Sequence, residues 1–131
     1  MFFSDQVAEK ESLSTRNLAY SQKFVEWTST AKGSRDKLGS LSTATVERSG
    51  RKPTVVNAYT QFHWRGRGTL ADYDAIRKVM RLIKIESTGQ RIGYPKIGAG
   101  LAGGDWEIIA AIIEEELAGE DHTLVEYSPT P

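Results

Sequence analysis

Four glycines fall within the seven residues from Gly98 to Gly104, between a strand-like stretch that ends at Ile97 and an amphipathic stretch that opens at Asp105. A chain with this pattern is constrained to a strand, a tight loop and a helix. Glycine allows positive φ and lets another group approach the backbone without a Cβ in the way. The amides at a helix start, with the positive end of its dipole, favour an anion such as phosphate. Gly98, Gly100 and Gly103 also match G-x-G-x-x-G, a weak signal by itself. A dinucleotide-binding fold places that fingerprint after its first strand and needs a second half-domain behind it. Here one helix and one strand remain. A phosphate loop of the Walker type ends Gly-Lys-Ser/Thr, whereas this one ends Gly103-Gly104-Asp105. A mere connecting turn needs fewer glycines, so the reading is a loop that holds an anionic, nucleotide-derived ligand. Asp105 is weighed as a general base or metal ligand and, in preference, as the N-cap of the following helix, where its carboxylate is occupied by backbone amides.

The rest of the chain falls into alternating elements. Asp5–Leu13, with Ser4 as N-cap, and a stretch from Asn17 to Ala31 read as helices, the second burying Leu18, Phe24 and Trp27. Leu41–Val46 alternates hydroxyl and apolar residues and reads as a strand with one wet face. Arg48-Ser49-Gly50-Arg51 is a turn, and Thr54–Gln61 is the next strand. Thr69 is expected to cap a helix running to Ser87, with Leu70, Tyr73, Ile76, Val79, Met80 and Ile83 in the core. Arg91–Ile97 reads as a strand, Trp106–Leu117 as a helix with Ile109, Ile112 and Ile113 inward, and Thr123–Tyr127 as a last strand. Glu114, Glu115 and Glu116 crowd the negative end of that helix, which is unfavourable there, and read as a local solvated face. The closing β-α-β-α-β run implies parallel neighbours and an α/β layered fold.

Length and composition narrow the class. A chain of 131 residues fits one domain, 1–131, and buries roughly two-thirds of its unfolded surface without staples. There is no cysteine, which excludes disulfides, thiolate zinc sites and a cysteine nucleophile. The Met1–Phe3 run is too short for a signal peptide or membrane span, so the expectation is a soluble cytoplasmic protein with no membrane association. The net charge is zero, but Asp105–Pro131 holds eight acidic residues and no Lys or Arg, leaving the preceding chain a basic surplus of eight. A basic body suits a phosphate-bearing partner; the bland alternative is solvated charge. His63 and His122, the only histidines, belong to no metal-ligand cluster, so no metal and no cofactor is expected.

Pro95-Lys96-Ile97-Gly98-Ala99-Gly100-Leu101-Ala102-Gly103-Gly104-Asp105-Trp106 resembles the P-[RK]-I-G-C-G-L-A-G-G-x-W signature of macro domains. It is most similar to the branch called ADP-ribose-1''-phosphate phosphatase-like, found in phages and bacteria. Ala99 stands where that branch usually has cysteine. Val55-Val56-Asn57-Ala58-Tyr59-Thr60-Gln61 resembles the branch's strand that faces the distal ribose, and the likeness runs from Leu38 to Tyr127. It implies a three-layer α/β/α fold, a mixed sheet with helices on both faces. The front departs from the pattern. The usual strands with a Gly-Asp-Ile-like segment are not found, and Asp5-Gln6-Val7-Ala8 stands where a first glycine loop would be, with Gln6 at the glycine position. The expectation is a start upstream or an N-terminally shortened domain.

The resemblance implies that Ile97, Gly98, Ala99, Gly100, Leu101, Ala102 and Gly103 wrap the diphosphate and distal ribose of ADP-ribose or ADP-ribose-1''-phosphate, free or on an ADP-ribosylated macromolecule, with Thr60 and Gln61 at the ribose end. A related hydrolase branch uses a lysine and an aspartate at the positions of Gln61 and Ala102, so that mechanism has no residues here. Gln61, His63 and Asp105 are the candidates to assist hydrolysis by an ordered water. A non-catalytic ADP-ribose-binding module and a nucleic-acid-binding or structural protein on the same scaffold stay open. The mixture of aromatics and arginines in Phe62–Arg67 suits the nucleic-acid reading as well as adenine stacking or loop packing.

Overall fold

A computed structural model describes residues 2–4, 35–63 and 66–129. The helices expected at Asp5–Leu13 and Asn17–Ala31, and Trp64-Arg65 of the arginine-rich loop, lie outside the described residues. The described elements run β1 (Phe2–Ser4), a 3-10 turn (Arg35–Lys37), β2 (Leu41–Thr45), β3 (Thr54–Ala58), α1 (Tyr73–Glu86), β4 (Ile92–Tyr94), α2 (Trp106–Glu116) and β5 (His122–Leu124).

β2 and β3 form an antiparallel hairpin in which Leu41 faces Ala58 and Thr45 faces Thr54. Its tip is the two-residue turn Ser49-Gly50, both with positive φ, closed by Arg48 and Arg51, which exchange backbone hydrogen bonds of 2.8 and 3.0 Å. Positive φ at both central residues gives the turn the twist of its flanking strands. On its other edge β3 pairs in parallel with β1, Phe2 opposite Val55. The sequence reading assigns no strand to Phe2–Ser4. β4 and β5 form a second, parallel pair, and β1 runs close to β4, so the two sheets meet along that edge. Parallel and antiparallel pairs together make the expected mixed arrangement.

The core gathers Val56 and Ala58 from β3, Ile76, Val79, Met80 and Ile83 from α1, Ile92 and Tyr94 from β4, and Ile109, Ile112 and Ile113 from α2. The expected helix faces are therefore the buried ones. α1 and α2 also pack on each other. In the glutamate cluster Glu114 and Glu115 are exposed, as the solvated-face reading expects, while Glu116 is largely covered by α1. Glu116 accepts from Arg77 at 2.6 Å and from Arg81 at 2.8 Å, and Glu115 accepts from Arg77 at 2.7 Å. The arginines on the neighbouring helix offset the charge that the helix end disfavours.

Several boundaries shift for backbone reasons. α1 is capped by Asp72, whose Oδ1 accepts from the Ala75 amide at 2.9 Å, not by Thr69. The amides of Leu70 and Ala71 are drawn out to the Ala102 carbonyl, which holds that stretch out of the helix. β4 stops at Tyr94 because Pro95 has no amide to donate, and the Ile97 amide turns back to the Pro95 carbonyl. β3 stops at Ala58, after which Tyr59 bonds to Gly39 and Ser40, and Gln61 makes an isolated bridge to Ala71. β5 comprises His122–Leu124, where Thr123–Tyr127 is expected.

Candidate functional site

The glycine loop leaves β4 at the carboxyl end of the strand and turns back over the start of α2. Gly98 and Gly103 have φ of +68° and +66°, in the left-handed region where a side chain is disfavoured. At Gly104 the constraint is contact. A Cβ there would stand 2.5 Å from the Gly98 carbonyl oxygen, and the Gly104 amide donates to that oxygen at 2.7 Å. Glycines close this loop on itself.

A second loop, Thr60–Asp72, holds it from outside. The Leu70 and Ala71 amides donate to the Ala102 carbonyl at 2.7 and 3.2 Å, and Asp72 donates to Thr60 at 2.8 Å. Thr69 Oγ1 donates to the Gly103 carbonyl at 3.3 Å. The Asp105 amide donates to the hydroxyl of Tyr73 at 3.0 Å. The stretch read as a strand end and the glycine run, far apart in sequence, are thereby brought into one framework.

Several backbone amides of this framework have no acceptor among the described residues, and three of them follow one another on the loop. At the helix start, the Asp105 amide is taken by Tyr73 and the Glu107 amide by the Asp105 carboxylate at 2.9 Å. The amides of Gly100, Leu101 and Ala102 have no acceptor among the described residues. Gly100 faces open space where a Cβ would point, and Leu101 is 97% exposed, so ligand oxygens can approach the first two, while Ala102 lies at the buried end of the run. Lys96, at the loop's entry, is paired with Glu126 at 2.6 Å.

The other predicted residues separate by role. Thr60 and Ile97 are fully buried, so any share they take in a site runs through their backbone. Ala102 is also buried, while Ala99 is half-buried. Gln61 spends its side-chain amide on the His63 carbonyl at 3.1 Å. Asp105 is the helix cap, the preferred of its two sequence readings. His63 is exposed, edge-on to Phe62 with ring centres 4.7 Å apart. It shares an open groove with Arg35, Thr69, Tyr73 and Asp74, and Arg35 lies 4.3 Å over the Phe62 ring. Among the described residues no hydrogen bond joins the Gln61 or His63 side chain to the glycine loop. Nor does any group of three His, Cys, Asp or Glu there suit a metal ion. No helix among them is long and apolar enough to cross a membrane.

Sequence reasoning does not find Tyr73 as the hydroxyl that anchors Asp105, because its helical spacing marks it only as core. Gly68 is missed as well; its carbonyl would lie 3.1 Å from a Cβ on Gly103. Nothing in either local pattern reports a partner more than thirty residues away.

No family model and no curated protein matches the sequence. Among solved structures, the macrodomain of Mycobacterium tuberculosis DarG superposes with a TM-score of 0.62, covering 83% of this chain and 74% of that chain at 22% identity.

Proposed function

The chain has the macrodomain fold, and from that premise we propose that it binds ADP-ribose or a phosphorylated derivative on the Gly98–Gly103 loop and hydrolyses it. The observation that carries this reading is the run of three amides, Gly100, Leu101 and Ala102, with no acceptor among the described residues. Successive amides around a glycine turn make a concave site for phosphate oxygens. The diphosphate lies on them, and the distal ribose extends toward the Thr60–Gln61 end.

Hydrolysis is either loss of the 1''-phosphate from ADP-ribose-1''-phosphate or release of ADP-ribose from a modified macromolecule. A water beside the loop attacks, with Gln61, His63 or Asp105 assisting. Of these, Gln61 and Asp105 are engaged in holding backbone, which leaves the His63 side chain as the one not so engaged. The same engagement favours a second reading, a module that binds ADP-ribose without turning it over.

Calorimetry with ADP-ribose tests binding, and phosphate release from ADP-ribose-1''-phosphate separates enzyme from reader. Gly100→Glu places a carboxylate among the phosphate-binding amides and should abolish binding. Undiminished affinity in that variant would put the ligand elsewhere.

A further inference from the structure

Lys96 and Glu126 form an ion pair at the entry to the glycine loop, outside the run of amides that have no acceptor among the described residues. Between Tyr94 and Asp105 the chain carries a single charged side chain, that of Lys96. Its carbonyl accepts from the Ala99 amide at 3.5 Å, so Lys96 is the first residue of the turn that leads into the loop. A turn of this kind keeps its ends within about 7 Å, and Gly100 lies one residue, about 3.8 Å, farther on. The cation is therefore separated from the first of those amides by a distance comparable with the Debye length, about 10 Å at 0.1 M salt.

Strand pairing brings the carboxylate there. β5 runs parallel to β4 with Leu124 opposite Tyr94, and the Val125 amide donates to the Tyr94 carbonyl at 2.8 Å. The chain leaving β5 thus keeps step with the chain leaving β4, and Glu126 Oε1 meets Lys96 Nζ at 2.6 Å. The two side chains are 50% and 60% exposed, so a ligand can reach either of them. Exposed pairs of this sort are weak. A phosphate, with more charge than one carboxylate, competes well for the ammonium.

We propose that Lys96 changes partner when the ligand arrives, leaving Glu126 for a phosphate oxygen of ADP-ribose or its phosphorylated derivative. Glu126 then sets the affinity by holding the cation back. This rests on the reading that the Gly98–Gly103 loop holds the ligand's phosphates, and it adds a full positive charge to neutral amides. The gain grows with the charge of the ligand, so the pair favours a derivative with an extra phosphate.

Calorimetric titration of the full chain with ADP-ribose, across a salt series, tests the exchange in the wild type, Lys96→Gln, Glu126→Gln and the double variant. Glu126→Gln frees the cation and tightens binding about two- to five-fold, the range that an exposed ion pair supplies. Lys96→Gln weakens binding. With Lys96 already replaced, Glu126→Gln brings at most a small part of its gain, because the carboxylate acts through the cation. The gain also shrinks as salt rises, which a change in packing alone would not produce. Wild-type binding with the same affinity in all four proteins would overturn the exchange and leave the loop as the ligand's site. Equal tightening from Glu126→Gln with and without Lys96 would overturn it too, since the carboxylate would then be repelling the ligand directly. Absence of binding by the wild type would remove the site and the exchange together.

Discussion

The hydroxyl of Tyr73 accepts a hydrogen bond from the backbone amide of Asp105 at 3.0 Å, tying the first turn of α1 to the first residue after the glycine loop. Asp105 is also the cap of α2, so one phenol fixes where the loop ends and the second helix begins. Tyr73→Phe keeps the ring and deletes the acceptor. The expected loss is about 1 kcal/mol of folding stability, with weaker ADP-ribose binding. An unchanged urea midpoint together with wild-type affinity would show that the bond positions nothing.

The glycines of the loop differ in what they tolerate. A methyl on Gly104 meets the Gly98 carbonyl oxygen at 2.5 Å and Ile109 Cδ1 at 2.9 Å, whereas one on Gly100 meets nothing within 4 Å. Gly104→Ala should destabilise by about 1–3 kcal/mol, the usual cost of forcing an extra carbon into packed surroundings. Gly100→Ala should stay within about 0.5 kcal/mol of wild type. Equal melting temperatures for the two variants would contradict this geometry.

Glu116 bridges two arginines of α1 and titrates below the usual glutamate range. The hydrogen bond from Arg81 is the largest cause, burial works in the opposite direction, and Arg77 adds to the lowering. A depressed folded-state value contributes stability above the unfolded glutamate range, and that contribution is lost as pH falls through the folded value. Glu116→Gln should therefore be less stable than wild type at neutral pH, by up to about 1 kcal/mol as for other solvent-accessible pairs. The two should converge once acid has protonated the wild-type carboxyl. Denaturant titrations in steps from neutral pH down through and below the ordinary glutamate range measure it; a gap that does not narrow as the pH falls would assign the loss to packing.

Ser49 is the one described non-glycine residue with positive φ, at 53°. Asparagine adopts that conformation more readily, and Asn-Gly is the preferred pair for such a turn. Ser49→Asn should raise stability by about 0.5–1 kcal/mol, read as a higher melting temperature. A lower one would mean that the serine hydroxyl has a role of its own.

What the sequence reveals follows the range of the interactions concerned. The helix faces are legible because Ile76, Val79, Met80 and Ile83 repeat at helical spacing, and so do Ile109, Ile112 and Ile113. The Asp105 cap is legible because its signal spans a few residues. The start of α1 is misread at Thr69 because what holds Leu70 and Ala71 extended is the Ala102 carbonyl, thirty-odd positions downstream. The pairing of Glu115 and Glu116 with Arg77 and Arg81 is invisible for the same reason. Phe2–Ser4 is too short to announce itself as a strand; its partner Val55–Asn57 makes it one. At the candidate site, the glycine spacing indicates a loop, but only the folded backbone distinguishes amides that are spent from those that are not.

The pairing of Phe2 with Val55 joins positions about fifty residues apart, and it carries a kinetic consequence. The β2–β3 hairpin closes across a two-residue turn, and α1 meets α2 over a modest span, so both can form early. β1 gains nothing until a long segment has been brought back on itself, and the entropy of that closure must be met first. In refolding, amides of Leu41–Thr45 should acquire exchange protection before those that β1 shares with Val55–Asn57, making the innermost edge of β3 the last seam of the sheet to close.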